Sequence, residues 1–198
     1  MASETERHRL GRDDWIEAAL DALVERGIEG VRIDRLCQRL GVTKGSFYHH
    51  FARRDDLLEG LVDFWANTQP KATTHELASP GTDAMARLVA VTRLVADRDI
   101  GRRDHAMRAW AAADPRAARA VQQADCQILA LLHSLLRDLG VPSDEIHPLS
   151  RVLFFSALGA YEAPTAFAGR SQRSFARYLL RLVQERARGA PMPGKEIA

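Results

Sequence analysis

Apolar residues recur at intervals of three and four along most of this chain, and no stretch alternates apolar and polar residues as a half-buried strand would. Such intervals place side chains on one face of an α-helix. The first of these faces consists of Trp15, Ile16, Ala19, Leu20, Leu23 and Val24. The pattern predicts an all-α fold of about nine helices. A chain of 198 residues, 46% of them hydrophobic, is long enough to bury a substantial core.

The segment Arg32 to Phe51 contains two short predicted helices joined by a tight turn. The first of them is expected at Ile33 to Leu40 and the second at Lys44 to His49. Gly41 lies between them, where the chain needs a residue that accepts a left-handed conformation. Thr43 has a side chain suited to the N-cap of the second of these helices. The segment therefore predicts a helix-turn-helix.

The helix that begins at Lys44 has an unusual composition for a purely structural element. Gly45 and Ser46 are poor choices for a helix interior, where glycine costs about 1 kcal/mol relative to alanine. They leave the start of the helix nearly bare, while Thr43, Ser46 and Tyr48 supply hydroxyl groups and Lys44 a positive charge. Two aromatic residues are expected to face inward and anchor the helix, namely Phe47 and Phe51. Such a surface is suited to close approach to a nucleic-acid groove.

Charge is distributed unevenly along the chain. Six basic residues and a single acid lie between Arg32 and Arg54, giving this segment a charge of +5. The whole chain carries only +2, so the remainder has a charge of −3. A basic segment on a mildly acidic body is typical of a protein that contacts phosphate through one end.

A fourth helix is expected to begin at Arg53 or Arg54, and the clearest break in the chain follows at Ala78 to Gly81. We therefore predict a DNA-binding domain at residues 1–52, with a mobile arm at 1–11. Residues 53–198 are assigned to a helical regulatory domain.

The predicted regulatory domain continues with helical patterns. One helix is expected from Thr82 to Ala96, and a short basic connector at Ile100 to Arg103. Asp104 is expected to cap the next helix. Asp114 and Pro115 fit the cap and the first position of a long helix.

Two sets of apolar residues in this domain are candidates for function. The last two helices expose candidates for a dimer interface, which are Phe154, Phe155, Leu158, Phe175, Tyr178, Leu179 and Leu182. Candidates for the lining of a small-molecule cavity are Trp65, Met85, Met107, Trp110, Phe154 and Tyr161, with His75, Arg108 and Glu162 as polar groups. Core packing is the alternative role for each member of the second set.

The N-terminal residues resemble the DNA-binding domain of the TetR (tetracycline repressor) family of bacterial regulators. The motif GVTKGSFYHHF, followed by paired leucines early in the fourth helix, is similar to the signature of that family. The resemblance covers Asp14 to about Val62. It implies a helix-turn-helix whose third helix enters the major groove, and a homodimer formed through the last two helices of each subunit. The domain at residues 53–198 is thereby expected to be both a regulatory and a dimerisation domain.

The resemblance also implies roles for individual residues. Those at positions that contact bases or adjacent phosphate in the family are Lys44, Gly45, Ser46 and Tyr48. Those at positions that contact the DNA backbone are Thr43, His49, His50 and Arg54. The chain departs from the family at Arg32 and Ile33, where many members carry threonines that cap the second helix. Arg32 can contact phosphate instead.

Taken together, these observations indicate a cytoplasmic dimeric repressor that binds a near-palindromic DNA operator and releases it when a small molecule binds. The chain has no signal peptide pattern and no apolar run of membrane-spanning length, and its two cysteines are expected to be reduced thiols. Neither a cofactor nor a metal is expected, because the seven histidines lack metal-ligand spacing. The alternatives are a small helical enzyme and a helical interaction module that binds no DNA.

Overall fold

The computed structural model describes residues 10–77, 83–95, 98–162 and 170–189. Within these ranges the chain forms nine α-helices, one 3-10 helix at Ile28–Gly30 and no strand, which confirms the all-α prediction. The α-helices are α1 Arg12–Arg26, α2 Ile33–Leu40, α3 Lys44–His50, α4 Arg54–Leu77, α5 Ala84–Val95, α6 Arg98–Ala111, α7 Pro115–Asp138, α8 Ser143–Glu162 and α9 Arg170–Ala187. None of these described helices combines the length and the apolar character needed to cross a membrane.

The first of two compact units comprises the chain up to Trp65 together with Ala106–Ala120. In this unit α1 packs against the 3-10 helix and α2, and α2 packs against α3. The largest fully buried side chains of the unit are Trp15, Leu20, Leu23, Leu36, Phe47, Leu57, Leu58, Leu61, Trp65 and Met107. Complete burial of one such side chain contributes roughly 1.5–3 kcal/mol, so this set supplies a core for the three short helices.

The second compact unit comprises Ala66–His105 and Val121–Ala198. In it, helices α5, α8 and α9 contact one another. Their core consists of Leu88, Leu132, Leu135, Leu136, Val141, Leu149, Leu153, Leu179 and Val183. The Arg186 guanidinium of α9 is 7% exposed and donates two hydrogen bonds to the Glu145 carboxylate of α8. A buried charge requires such a partner, and this one joins the start of α8 to the end of α9.

Helix α6 differs from the sequence-based prediction. It begins at Arg98, so the predicted connector Ile100 to Arg103 is helical and Asp104 lies inside the helix rather than at its cap. Asp99 lies in the first turn, where a negative charge favours the positive end of the helix dipole. Basic composition alone therefore did not distinguish a connector from the first turn of a helix.

Helix α7 begins as the sequence predicts. Asp114 precedes Pro115, and its Oδ1 atom accepts a hydrogen bond of 2.9 Å from the backbone N–H of Arg116. The Arg116 guanidinium also donates to the Asp114 carboxylate at 2.9 Å. These bonds lower the pKa of Asp114 to about 2. The start of α7 is thus fixed by a cap and an ion pair that share one carboxylate.

The compact units do not coincide with the predicted domain boundary after residue 52. The first half of α4 belongs to the first unit, because Leu57, Leu58 and Leu61 are buried there. The division of function between residues 1–52 and 53–198 stays a prediction. Residues 1–9 of the predicted arm and the predicted break at Ala78 to Gly81 lie outside the described residues.

Candidate nucleic-acid interface

The turn between α2 and α3 is built on a left-handed glycine. Gly41 has φ 67° and ψ 32°, as the sequence predicts, and its N–H donates to the end of α2. The N–H of Val42 donates to the Cys37 carbonyl at 3.0 Å, which completes the closing turn. A residue with a Cβ atom is strained in this conformation, so glycine allows the two helices to join at a sharp angle.

Aromatic packing anchors one face of α3. Phe47 is fully buried, with its ring centroid 5.3 Å from Trp15 in an edge-on contact and 5.6 Å from Phe51 in a stacked one. Edge-on and offset aromatic pairs add about 0.5–1.5 kcal/mol beyond the burial of their area. The opposite face of α3 is therefore held toward solvent, and it carries Tyr48 with 55% of its surface exposed.

Gly45 is not required by the packing of the protein itself. A Cβ atom built on Gly45 would meet only the Thr43 Oγ1 atom, at the ordinary contact distance of 3.6 Å. Its φ angle is not positive, so alanine could adopt the same backbone conformation. The packing of the described residues therefore does not require glycine at this position.

Thr43 occupies the N-cap of α3, as predicted, but its side chain makes no capping hydrogen bond. The prediction that Thr43 is the N-cap residue is therefore confirmed, but the prediction that its hydroxyl caps the helix was wrong. Arg32 likewise precedes α2 without a side-chain cap, in agreement with the missing threonine. In the first turn of α3 the N–H of Ser46 donates instead to the backbone carbonyl of Thr43, at 3.1 Å.

An open depression of about 560 Å³ lies beside the exposed face of α3. Its lining residues are Glu29, Arg32, Ile33, Asp34, Lys44, Tyr48 and Arg54. Four of the residues predicted to contact DNA are thus brought together, three of them basic. The two acids in the lining were absent from the sequence-based prediction.

Asp34 pairs with Lys44 across the turn. The distance between Lys44 Nζ and Asp34 Oδ1 is 2.6 Å, and both side chains are well exposed. The hydrogen bond and the charge of Asp34 raise the pKa of Lys44. The sequence contained a signal for this pair, since Asp34 is the single acid of the basic segment, but spacing alone does not reveal contacts between helices.

Arg54 has contacts that its predicted role did not anticipate. Its Nε atom donates to the Val31 carbonyl at 2.7 Å, and its terminal nitrogen donates to the Ile28 carbonyl at 3.0 Å. The guanidinium thereby joins the start of α4 to the turn that precedes α2. Contact of Arg54 with a DNA backbone stays a prediction, but two of its donors already hold the protein chain.

The turn that Arg54 holds also depends on Gly30. A Cβ atom at Gly30 would lie 2.6 Å from the Cβ of Arg26 and 2.8 Å from the carbonyl oxygen of Ala22. Both distances are shorter than real Cβ contacts, so only glycine fits between the 3-10 helix and α1. The entry to α2 is consequently rigid on both sides.

The remaining predicted DNA contacts lie along the same short helix or its cap. Thr43 and His49 are exposed, whereas Ser46 and His50 are half-buried. The rings of His49 and His50 meet edge-on with centroids 5.1 Å apart. In the part of the chain that the structure describes, no group of three or more His, Cys, Asp or Glu side chains could hold a metal ion.

The predicted cavity residues fall in both compact units. Trp65, Met107 and Trp110 are buried in the first unit, and the indole N–H of Trp65, like that of Trp15, has no hydrogen-bond acceptor among the described residues. Met85 and Phe154 pack, half-buried, against the core of the second unit. The side chains of Tyr161 and His75 lie outside the described residues. The Oε2 atom of Glu162 lies 2.9 Å from His105 Nδ1, at hydrogen-bond distance.

The predicted dimer-interface residues differ in exposure. Phe155 and Tyr178 are 60% and 57% exposed, whereas Leu158, Phe175 and Leu182 are half-buried. Leu179 departs from the prediction, because it is 8% exposed and belongs to the core of its own unit. Val152 was not predicted, although 46% of its surface is exposed on α8.

Comparisons with known proteins agree with this geometry. Residues 16–61 match the family model for bacterial regulatory proteins of the tetR family. The tetracycline repressor protein class D of Escherichia coli is 40% identical over 54 residues, which are 27% of this chain and 25% of the repressor. The chain thus spans about a quarter of the length of the first curated relatives that it matches.

Two solved structures share the fold over most of the chain. Reduced NemR of Escherichia coli has a TM-score of 0.69 at 20% identity, covering 88% of this chain and 96% of NemR. FadR of Bacillus subtilis, in complex with stearoyl-CoA, has a TM-score of 0.63 at 15% identity, covering 87% and 97%. The helix-turn-helix and the anchored α3 lie within the matched residues, so this N-terminal part of the chain is similar to the DNA-binding domain of bacterial regulatory proteins of the tetR family.

Proposed function

We propose that this protein is a DNA-binding transcriptional repressor that acts as a homodimer and releases its operator when a small molecule binds. The observation that carries the proposal is the outward face of α3, where Gly45 is bare although the fold has room for a side chain. The rigid turn and the aromatic anchor support it, since a reading helix must be held in a fixed orientation.

The residues on this surface suit two kinds of contact. Base edges in the major groove are read by hydrogen bonds and close packing, and Lys44, Gly45, Ser46 and Tyr48 have the side chains for this role. Phosphate contacts fix position without reading sequence, and this role suits Arg32, Thr43, His49 and His50. The +5 charge of the segment Arg32 to Arg54 supports attraction to phosphate.

A single α3 reads only a few base pairs, so specific binding requires two copies. The exposed apolar side chains of α8 and α9 support a dimer, namely Val152, Phe155 and Tyr178. A two-fold dimer binds a near-palindromic site whose half-sites lie about 34–36 Å apart or a multiple of that distance. Phe155→Glu should weaken the dimer and, with it, operator affinity.

Among the candidate cavity residues, the buried indole N–H of Trp65 is a donor that a small-molecule effector or a water could satisfy, although the Trp15 indole N–H in the same unit also lacks an acceptor among the described residues. The structure of FadR, which shares the fold, contains stearoyl-CoA. An effector that binds the free form more tightly than the DNA-bound form would lower operator affinity, typically by 1–3 kcal/mol of coupling. Native mass spectrometry of the purified protein would identify retained compounds, and Trp65→Phe should reduce their retention.

Selection from a random DNA library tests DNA binding directly. The purified protein should enrich a near-palindromic sequence, and its affinity should fall linearly with the logarithm of salt concentration. Tyr48→Ala should weaken binding to the enriched sequence, and Tyr48→Phe separates the contribution of the hydroxyl from that of the ring. Failure to enrich any sequence, together with no binding of duplex DNA at low salt, would refute the proposed function.

A further inference from the structure

Asp34 is an unexpected residue on the proposed DNA-reading surface. It is the second residue of α2 and the single acid between Arg32 and Arg54. Its carboxylate lies 2.6 Å from the ammonium of Lys44, the first residue of α3. A carboxylate on this surface repels phosphate, so its presence weakens binding to DNA in general.

Stability does not account for this ion pair. The side chains of Lys44 and Asp34 are 63% and 65% exposed, and exposed pairs contribute little to folding because water and salt screen them. The helices that carry these residues are already fixed by the Gly41 turn and the buried Phe47. The ion pair therefore affects the binding of DNA to this surface more than it affects the stability of the fold.

The geometry gives the pair two consequences for recognition. The Asp34 carboxylate restrains the otherwise flexible Lys44 side chain beside the start of α3. Lys44 must exchange this acceptor for one on DNA, and the O6 and N7 atoms of guanine present such acceptors in the major groove. Where the sequence offers no base acceptor in reach, Lys44 stays paired with Asp34 and adds no contact to DNA phosphate.

We propose that Asp34 is a specificity-determining residue, which restrains Lys44 for base contact and disfavours DNA that cannot supply a replacement acceptor. The inference rests on the proposed DNA-binding function and deepens it. Discrimination of this kind arises from repulsion of wrong partners as much as from attraction to the right one. Asp34 thus withholds Lys44 from non-specific phosphate contacts, and it lowers affinity for other DNA more than affinity for the operator.

The test uses the full chain, the duplex enriched by the wild-type protein, and a scrambled duplex of the same length and base composition. Asp34→Asn preserves shape and removes the charge. We expect its affinity for the scrambled duplex to rise by about two- to fivefold, the range corresponding to an exposed ion pair. Affinity for the enriched duplex should rise less or fall, so that the ratio of the two affinities decreases.

Glu29→Gln is the matched control, because Glu29 lines the same depression and its loss removes the same charge. It should change both affinities by the same factor and leave their ratio unchanged. In a Lys44→Ala background, Asp34→Asn should no longer lower the ratio, since the restrained ammonium is absent. Thermal unfolding of each variant verifies that the fold is intact.

Two results would overturn the inference. In the first, Asp34→Asn leaves the affinity ratio unchanged or alters it no more than Glu29→Gln does. In the second, its effect on the ratio persists in full without Lys44. Either result can occur while the wild-type protein binds its enriched duplex. In that case the role of Asp34 is refuted and the proposed DNA-binding function is retained. A wild-type protein that binds neither duplex refutes the proposed function itself.

Discussion

Replacement of Gly45 by alanine should stabilise the protein and weaken its binding to DNA. The new methyl group meets only Thr43 Oγ1 at 3.6 Å, and the backbone conformation is one that alanine adopts. Gly→Ala changes at compatible helical sites raise the free energy of unfolding by about 0.4–1 kcal/mol. For a chain of this length, the melting temperature should rise by about 1–4 °C.

The same methyl group extends into the space where DNA is proposed to approach. Loss of one close base contact costs about 1–3 kcal/mol, so affinity for the enriched duplex should fall roughly five- to 150-fold. Fluorescence anisotropy with labelled duplex measures this loss, and calorimetry or circular dichroism measures the change in stability. Affinity for scrambled DNA, which depends mainly on charge, should change much less.

Gly41→Ala is the control within the same motif. No atom lies within 4 Å of the added Cβ, but the φ angle of 67° imposes a conformational cost of about 1–2 kcal/mol. The same chemical change should therefore destabilise the protein at residue 41 and stabilise it at residue 45. If Gly45→Ala lowered the melting temperature, or kept full affinity for the enriched duplex, the assignment of the bare face to DNA would be wrong.

Three further results are expected. Arg54→Ala should lower the free energy of unfolding by about 1–3 kcal/mol, because two backbone carbonyls lose a charged donor. The predicted contact of Arg54 with the DNA backbone should also show in this variant as a reduction of the salt-dependence slope by about one, and an unchanged slope would refute that contact. The pKa of Asp114 is depressed by its bonds with Arg116, so its ion pair stabilises the protein above pH 4 and is lost as pH falls toward 2. The difference in unfolding free energy between wild type and Asp114→Asn, roughly 2 kcal/mol near neutral pH, should therefore shrink in acid, and a difference independent of pH would contradict the assignment. An alkylating reagent should modify the exposed Cys126 before Cys37, because burial raises the pKa of the Cys37 thiol, and peptide mass spectrometry measures the two rates. Equal rates of alkylation would show that α2 opens readily.

The helix-turn-helix could be predicted from the sequence because its signals are local. Glycine at position 41 requires a special conformation that few other residues accept, and the limits of α2 follow directly from it and from the apolar spacing. The inward direction of Phe47 and Phe51 follows from the same periodicity. These features depend on neighbours within a few residues, which a sequence displays.

The parts that the sequence did not predict depend on contacts between distant residues. Arg54 reaches carbonyls more than twenty residues earlier, and Asp34 meets Lys44 across a turn. Periodicity identifies an apolar face but not what covers it, so Leu179 in the core and Tyr178 on the surface appeared equivalent. Side-chain length and tertiary packing decide such cases.

The inclusion of Ala106–Ala120 in the first compact unit affects how the protein can be made and recombined. A terminal guanidinium nitrogen of Arg116 lies 3.6 Å from Asp55 Oδ1 at the start of α4. The unit thus contains two segments that are far apart in the sequence, and the ribosome synthesises the second of them well after the first. Its packing is complete only after Ala120 has been synthesised. A chimaera that transfers the residues up to Trp65 onto another regulator would leave this second segment behind. Exchange of DNA specificity between such proteins should therefore succeed more readily by replacing exposed residues of α3 than by replacing the whole N-terminal segment.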